Sequence, residues 1–418
     1  MSEIARTGKQ IVDAAREISP WVQDVREDLH RHPELRFEEH RTAERCAAEL
    51  ERIGVNVRRG VGRTGIVGTL DGGGGDGPVV AFRAEMDALA MQDMCGTPYQ
   101  SENEGIAHLC GHDGHVASLL GAATVLAGVR DRLPGTVKFF FEPSEEATPP
   151  DEICGAEAMI NDGALEDPNV DAVFGAHFFP DWRAGTVALK PGVVFSGNDV
   201  VRLTVRGRES HSAVPQDGID SIYVTSQIVT ATQGLMAHMD INEAISLHWT
   251  TVHGGRMSNL IASEVVLEGS FRFSDIGLRE RMPAQVERLV KGICDAFGAT
   301  YELDFGVRPM PAVVSSSLET STMRQALIEG LGEAAVLDMK QPRLAADTMF
   351  HWLRRTPGVF YMVGTADDNP ATQYPSHHQK FDISPETYPT AVAAIALTAH
   401  RFLEERGQER RPDDGQSE

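Results

Sequence analysis

The chain has 418 residues, of which 41% are hydrophobic and 24% charged, a composition typical of a globular protein with more than one domain. Its formal net charge of −23 disfavours binding to nucleic acids and to anionic membranes. No apolar run reaches the roughly 18 residues that a membrane helix needs, and Met1–Arg6 lacks the features of a signal peptide. The five cysteines have no regular spacing, which argues against a disulfide framework and for a cytoplasmic location.

The first half of the chain alternates helices and strands. In chain order, the hydrophobic periodicity predicts helices within the first fifty residues, strands at 55–58, 66–70 and 78–83, a helix from Asp113, a strand at 136–141, a short helix at 155–161 and a strand at 170–174. The glycines at 72–75 lie between two strands, which favours a hairpin turn over a phosphate-binding loop. The alternation predicts an α/β fold, a central mixed sheet with helices on both faces.

The order of elements changes near Gly197. A strand, a helix, two strands, a helix and a strand follow, at 200–205, 219–236, 245–252, 265–273, 278–297 and 301–305. This β-α-β-β-α-β order is typical of a ferredoxin-like α+β unit, which we interpret as a domain inserted into the first. The predicted catalytic domain has two parts, at 1–196 and 309–406. Between them lies the inserted lid or dimerisation domain, at 197–308, and a disordered tail follows at 407–418.

Two short segments carry residue types that suit metal-assisted hydrolysis. Cys110-Gly-His112 offers a thiol and an imidazole on one tight loop before a helix, although a buried free cysteine and a loop histidine would look the same. Glu145-Glu146 follows a buried strand, so one carboxylate could bind a metal while the other acts as a general base. The alternative for this pair is a solvated acidic turn.

Three further residues stand near the ends of other predicted elements. His177 follows the strand at 170–174, and His377 lies in a polar loop; each could bind a metal, or be a structural or surface histidine. Asp87 follows the strand at 78–83 and could accept a hydrogen bond from the far nitrogen of a ligating histidine. Because sites in open α/β sheets form at the carboxyl ends of strands, the joint occurrence of these residues favours a metal site.

The order and context of these residues resemble metallopeptidase family 20, in the branch of hippurate hydrolases, indole-acetyl-amino-acid hydrolases and aminobenzoyl-glutamate hydrolases. The resemblance extends from His30-Arg-His32-Pro-Glu34 to the His377 loop. It implies a dinuclear-metal exopeptidase-like fold and two divalent metal ions, manganese or zinc with cobalt as a third option. The implied ligands are Cys110, His112, Glu146, His177 and His377, with the thiolate as a candidate bridge.

The same resemblance implies roles for other residues. Glu145 matches the catalytic base. Asp87, as the expected hydrogen-bond acceptor of a ligating histidine, is counted with the catalytic residues. His211, within Gly207–Pro215, matches a histidine that helps to bind the developing oxyanion, often across a dimer interface. Asn259 and Arg272 match positions that grip the substrate carboxylate. A homodimer or higher homo-oligomer through the inserted domain is therefore expected.

The chain departs from the family pattern around the site. The segment Ala147–Glu152 contains two prolines where the family has a glycine run, and Glu85 and Ala90 replace an aspartate and a proline, which we interpret as a changed pocket rim. The leading hypothesis is hydrolysis of the amide bond of a small N-acyl or N-aroyl amino acid, an anionic or aromatic substrate. The alternatives are hydrolytic deamination of a small aromatic amine that bears a carboxylate, and a non-catalytic metal-binding or regulatory protein that has kept the fold.

Overall fold

A computed structural model describes residues 3–146, 152–240, 243–274 and 276–410, which form two compact units. The first unit takes its described residues from Met1–Gly192, Val314–Lys340 and Thr348–Glu418, and the second from Val193–Val313 and Gln341–Asp347. Within the described residues, no helix is both long enough and apolar enough to cross a membrane. All five cysteines are free thiols.

An eight-stranded mixed sheet forms the centre of the first unit, in the order β1-β2-β4-β3-β5-β16-β6-β15. The strands are β1 (Asn56–Val61), β2 (Gly65–Asp71), β3 (Val79–Glu85), β4 (Thr136–Glu142), β5 (Ala172–Arg183), β6 (Val187–Leu189), β15 (Val336–Asp338) and β16 (Gly358–Ala366). The central strands β4, β3, β5 and β16 are parallel, so their carboxyl ends meet at one edge. At that edge Glu85 of β3 lies beside Glu142 of β4.

Helices cover both faces of this sheet, as the sequence predicts. They are α1 (Glu3–Arg31), α2 (His40–Arg52), α3 (His112–Ala127), α4 (Gly155–Asn161), α7 (Ser317–Leu331), α8 (Met349–Leu353) and α9 (Thr387–Arg410). The three phenylalanines of β4 show the two-sided packing, because alternate side chains of a strand point to opposite faces. Phe139 and Phe141 join the main core with α1, α3 and α9, whereas Phe140 stacks on Trp352 of α8 at 4.9 Å.

The prediction of a hairpin at glycines 72–75 is wrong. Strands β2 and β3 both pair with β4, which lies between them, so the glycine segment crosses the end of β4 instead of turning a hairpin. Gly72 N donates to Gly135 O at 2.8 Å, and a Cβ on Gly72 would lie 1.9 Å from Leu133 O. The glycines are needed because the two backbones approach closely.

Residues 407–410, which were predicted as the start of a disordered tail, are helical instead. Helix α9 continues to Arg410, and residues 411–418 of the predicted tail lie outside the described residues. Arg406 forms ion pairs with Glu319 at 3.2 Å and with Glu409 at 2.7 Å, and Gly407 is buried. These contacts extend the helix by a turn that the polar composition alone did not predict.

The second unit contains a four-stranded antiparallel sheet in the order β10-β12-β8-β13 and two helices. Its elements are β8 (Gly197–Arg206), β9 (Ser210–His211), α5 (Ser221–Ala237), β10 (Ile245–Gly254), β11 (Leu260–Ile261), β12 (Glu264–Phe273), α6 (Ile276–Phe297) and β13 (Thr300–Met310). Strands β7 (Gly192–Phe195) and β14 (Val313–Ser315) lie where the chain passes between the units. The segment Gln341–Asp347 joins the second unit because the Arg343 backbone bonds to Val194 and Ser196.

A buried charge network ties helix α1 to the start of α3. His30 Nδ1 lies 2.7 Å from Asp113 Oδ2, and His30 Nε2 lies 3.2 Å from Asp93 Oδ2. Arg26 donates to Asp113 and to Asp382, each at 2.8 Å. Burial and the Arg26 charge lower the pKa of His30, but the hydrogen bonds to Asp113 and Asp93 outweigh them and raise it to about 10. His30 is therefore a buried cation at neutral pH.

Replacing His30 with glutamine is expected to destabilise the protein by about 3–5 kcal/mol at pH 6.5, because it removes the charged partner of buried carboxylates. The pKa of this histidine rises from 6.5 in the unfolded chain to about 10 in the fold. Its stabilisation is thus complete below pH 6.5 and is lost as the pH rises through 10. Urea unfolding midpoints at pH 6.5 and pH 10 test this, with exposed His253→Gln as the control. A difference that stays constant with pH would contradict it.

Candidate metal centre

The loop before α3 brings a thiol and an imidazole together, as its sequence predicts. Gly111 has a φ of +95°, a left-handed conformation that glycine adopts without strain, and it reverses the chain between Cys110 and His112. Both flanking side chains are buried. Burial raises the pKa of the Cys110 thiol well above its usual range, so a metal ion that binds the thiolate must displace its proton.

Cys110 belongs to two groups of metal-type ligands. One consists of Cys110, His112 and His177, and the other of Cys110, Glu146 and His377; in each, one ligand atom per residue lies within 4.8 Å of the others. Cys110 Sγ lies 3.3 Å from the Nε2 atoms of both His177 and His377. The fold thus brings together all five predicted ligands, with the sulfur common to both groups.

The imidazole of His112 is oriented by Asp87. His112 Nδ1 lies 2.9 Å from the Asp87 carbonyl oxygen and 3.2 Å from Asp87 Oδ1, so this nitrogen carries the proton. The other carboxylate oxygen, Oδ2, accepts from Glu146 N at 2.8 Å. His112 Nε2 is buried and makes no hydrogen bond within the described residues. A buried lone pair of this kind suits a metal ion, which supplies the missing partner.

Replacing Asp87 with asparagine is expected to weaken metal binding by roughly 10- to 100-fold. The Asp87 carboxylate accepts from the His112 N–H at Oδ1 and from the Glu146 N–H at Oδ2. An asparagine amide has a single oxygen, so its NH₂ group would face one of these two donors. Chelator competition measures the affinity. Asp71→Asn, at the exposed end of β2, is the matched control. Equal affinities in the Asp87 variant and the wild type would remove Asp87 from this role.

His177 lies inside a strand and not after one, which corrects the prediction. Strand β5 continues to Arg183, because Phe178 and Phe179 remain buried and the strand stays paired with β16. His177 Nδ1 lies 3.0 Å from Phe178 O, which directs Nε2 towards Cys110. Burial lowers the pKa of His177 well below its usual value, so the ring is in the neutral form that binds metals.

The acidic pair is fixed by a strained turn after β4. Ser144 has a φ of +48°, a conformation that non-glycine residues rarely adopt, and its N–H donates to the buried Glu39 at 2.8 Å. Beyond this turn, Glu145 Oε1 accepts from Thr348 N at 3.1 Å, and Glu146 Oε1 lies 3.1 Å from His377 Nε2. The two carboxylates therefore have different partners.

Burial raises the pKa of Glu146, but the hydrogen bond to His377 and the nearby His112 outweigh this and lower it, so the group is a carboxylate. His377 itself has a φ of +67°, and its N–H donates to Leu109 O at 2.6 Å. This bond docks the His377 loop on the residue before Cys110. The residues 147–151, which carry the unusual prolines, lie outside the described residues.

A buried network of charged and polar groups beneath the site could not be predicted from the sequence. Arg83 donates to Glu142 Oε2 at 2.7 Å and forms a short ion pair with Glu85, and Thr348 Oγ1 donates to Glu142 Oε1 at 2.6 Å. Glu85 is fully buried, which corrects its predicted place at the pocket rim. Adjacent buried carboxylates require a cation, and the arginine in the middle of strand β3 supplies it.

His115 is part of the same network. Its Nδ1 lies 2.8 Å from Glu85 Oε2, and its Nε2 accepts from Phe178 N at 3.0 Å. Both ring nitrogens are therefore occupied by protein groups. The only feature of the sequence that could have indicated His115 was its spacing of three residues from His112, which places both side chains on one face of a helix.

The remaining predicted residues belong to the second unit. His211 in β9 pairs with Leu260, and Ser212 N donates to the Asn259 carbonyl at 3.0 Å, so His211 and Asn259 are neighbours. Arg272 is half-buried near the other end of β12 and donates to Leu344 O at 2.8 Å. A strand rises roughly 3.3 Å per residue, so Arg272 lies on the order of 25 Å from the β12 start at Glu264.

Comparison with known proteins decides the family. Residues 81–401 match the model of Peptidase family M20/M25/M40. The chain belongs to this family. The resemblance drawn from the sequence is therefore confirmed, and the chain is a metal-dependent amidohydrolase of the M20 type.

Three M20 relatives illustrate the match. The chain is 35% identical over 384 residues to the putative amidohydrolase YhaA of Bacillus subtilis, which covers 91% of this chain and 94% of the relative. It is 31% identical over 400 residues to IAA-amino acid hydrolase ILR1-like 2 of Arabidopsis thaliana, at 93% and 87% coverage. The crystal structure of B. subtilis YxeP, described as a dinuclear metal binding peptidase of the M20 family, superposes with a TM-score of 0.78 at 28% identity, at 93% and 99% coverage.

Proposed function

We propose that this protein hydrolyses the amide bond of a small N-acyl or N-aroyl amino acid, releasing a carboxylic acid and the amino acid. The observation that carries the proposal is the convergence of four ligand-type side chains on the Cys110 sulfur, with Glu145 next in sequence to one of them. Among the relatives, the A. thaliana protein is named as a hydrolase of IAA-amino acids, which are conjugates of this class.

Cys110, His112, Glu146, His177 and His377 would hold two divalent metal ions, as the B. subtilis structure is described. The buried, unpartnered His112 Nε2 fits this assignment. Bound there, the ions would supply Lewis acidity, which makes a water nucleophilic near neutral pH and stabilises the oxyanion. The thiolate favours zinc on grounds of softness, and manganese is the competing ion.

Glu145 acts as the general base in this proposal. Its Oε1 is held by the Thr348 backbone N–H, which fixes the carboxylate beside the ligand Glu146. A carboxylate in this position can take the proton of the attacking water and deliver it to the nitrogen of the leaving amine. The amine then departs as a neutral group.

The second unit contributes substrate recognition. The guanidinium of Arg272 suits a substrate carboxylate, while His211 and Asn259 would bind the developing oxyanion and the carboxylate. Because His211 and Asn259 lie near one end of β12 and Arg272 at the other, we propose a homodimer in which these residues serve different active sites. Light scattering of the purified protein tests the dimer.

A panel of hippurate-like amides and aminobenzoates, with amino acids and ammonia measured together, tests the function. We expect amino-acid release from N-acyl or N-aroyl amino acids after reconstitution with zinc or manganese. Release of ammonia from an aminobenzoate, without amino-acid release from any amide, would favour deamination. A fully metallated protein that is inert on both classes would overturn the proposed substrate class.

A further inference from the structure

Another group of metal-type ligands lies outside the centre described above. Cys154 precedes helix α4, Glu157 lies in the first turn of that helix, and His351 belongs to α8. One ligand atom from each residue lies within 4.8 Å of the other two. None of the three is among the five ligands proposed for the dinuclear centre.

We propose that Cys154, Glu157 and His351 bind one further divalent ion of the zinc class. A thiolate, a carboxylate and an imidazole are the ligand types that zinc takes from proteins, and three of them leave a fourth position for water. The thiolate also sets the preference among metals, since Mg²⁺ and Mn²⁺ favour all-oxygen sites.

The charges of the three side chains match a divalent cation. The thiolate and the carboxylate together carry two negative charges, and the imidazole is neutral. Burial lowers the pKa of His351, so its nitrogen lone pair is available at neutral pH. Burial raises the pKa of the Cys154 thiol to about 12, so metal binding breaks the S–H bond and releases one proton to solvent.

The position of the group links it to the acidic pair. Gly155 N, next to Cys154, donates to Ser144 O at 3.0 Å, and Thr348 N, at the start of α8, donates to Glu145 Oε1 at 3.1 Å. An ion held by Cys154 and His351 would join the two helices whose ends hold the Glu145 turn. The site would therefore restrain the turn without contacting the reacting atoms.

Metal content of the full-length protein provides the first test. After chelation and re-equilibration in a zinc buffer, Cys154→Ala and His351→Gln are each expected to hold one zinc ion fewer per chain than the wild type. Cys294→Ala, which removes a buried thiol from α6, should lose none. Because the readout is a difference between variants, it does not depend on how many ions the dinuclear centre holds. Equal zinc in wild type and both variants overturns the proposal.

Cobalt binding provides the second test, which can still be carried out if Cys154→Ala or His351→Gln fails to fold. Co²⁺ bound to a thiolate gives a charge-transfer band in the near ultraviolet. Cys110→Ser should keep a band that arises from Cys154, and the milder Glu157→Gln should weaken Co²⁺ binding to that site. If Cys110→Ser abolishes the thiolate band in a folded, cobalt-loaded protein, Cys154 is not a ligand and the proposal fails.

Discussion

Glu145→Gln is expected to lower turnover by roughly 10²- to 10⁴-fold, while the metal content stays at the wild-type level. The amide keeps the size of the side chain and an oxygen that can accept from Thr348 N. It cannot take up a proton from water, and it cannot return one to the leaving amine. The rate is measured as amino-acid release, and the metal content by elemental analysis of the same sample.

Two controls make this prediction specific. Glu152→Gln removes an exposed carboxylate a few residues away, which contacts Arg36 at 3.2 Å, and should leave turnover unchanged. Glu146→Gln should reduce metal content together with activity, because Glu146 is the proposed ligand of the pair. If Glu145→Gln retained near-normal turnover, or lost its metals, the base and the ligand would have to be reassigned.

Cys110→Ser is expected to lose metal affinity first and activity as a consequence. The sulfur is the atom common to both ligand groups, so its removal affects both proposed ions. A serine hydroxyl is neutral at pH 7 and offers no anionic charge. The loss should therefore exceed the roughly 10- to 100-fold that removal of an outer partner such as Asp87 produces.

The measurement is a titration of the chelated protein with zinc and with manganese, followed by an activity assay at each metal concentration. Excess metal should restore part of the activity of Cys110→Ser, because the other four ligands and Glu145 remain. Cys294→Ser controls for loss of a buried thiol. A variant that binds both metals normally but is inactive would instead identify Cys110 as a nucleophile.

The arrangement of elements could be predicted from the sequence because hydrophobic periodicity reports local burial. Phe139-Phe-Phe141 is apolar on both faces of β4, as expected of a strand covered by helices on both sides. The predictions were wrong where a strand pairs with another strand that is distant in sequence. The glycines at 72–75 suggested a hairpin, but β4, from more than sixty residues later, lies between the two strands.

The individual ligands could be proposed because the cysteine, the histidines and the acidic pair stand near strand or helix ends in an order typical of the M20 family. Their partners could not be proposed. Nothing local to Glu39 indicates that it holds Ser144 N, and nothing local to Arg83 indicates that it neutralises Glu85 and Glu142. Such contacts join residues that are distant in sequence, and hydrophobic patterning carries no information on which polar groups meet.

By itself, the sequence determined the α/β character of the protein, the residue types at its proposed metal centre and its family. Each of these follows from local periodicity or from a short motif. The tertiary structure decided that one sulfur is shared by both ligand groups, that Asp87 orients His112 while holding Glu146, and that Cys154 meets His351 beside the acidic pair. Those facts depend on long-range packing, which brings side chains from distant parts of the chain close together, and local sequence patterns carry no information on such contacts.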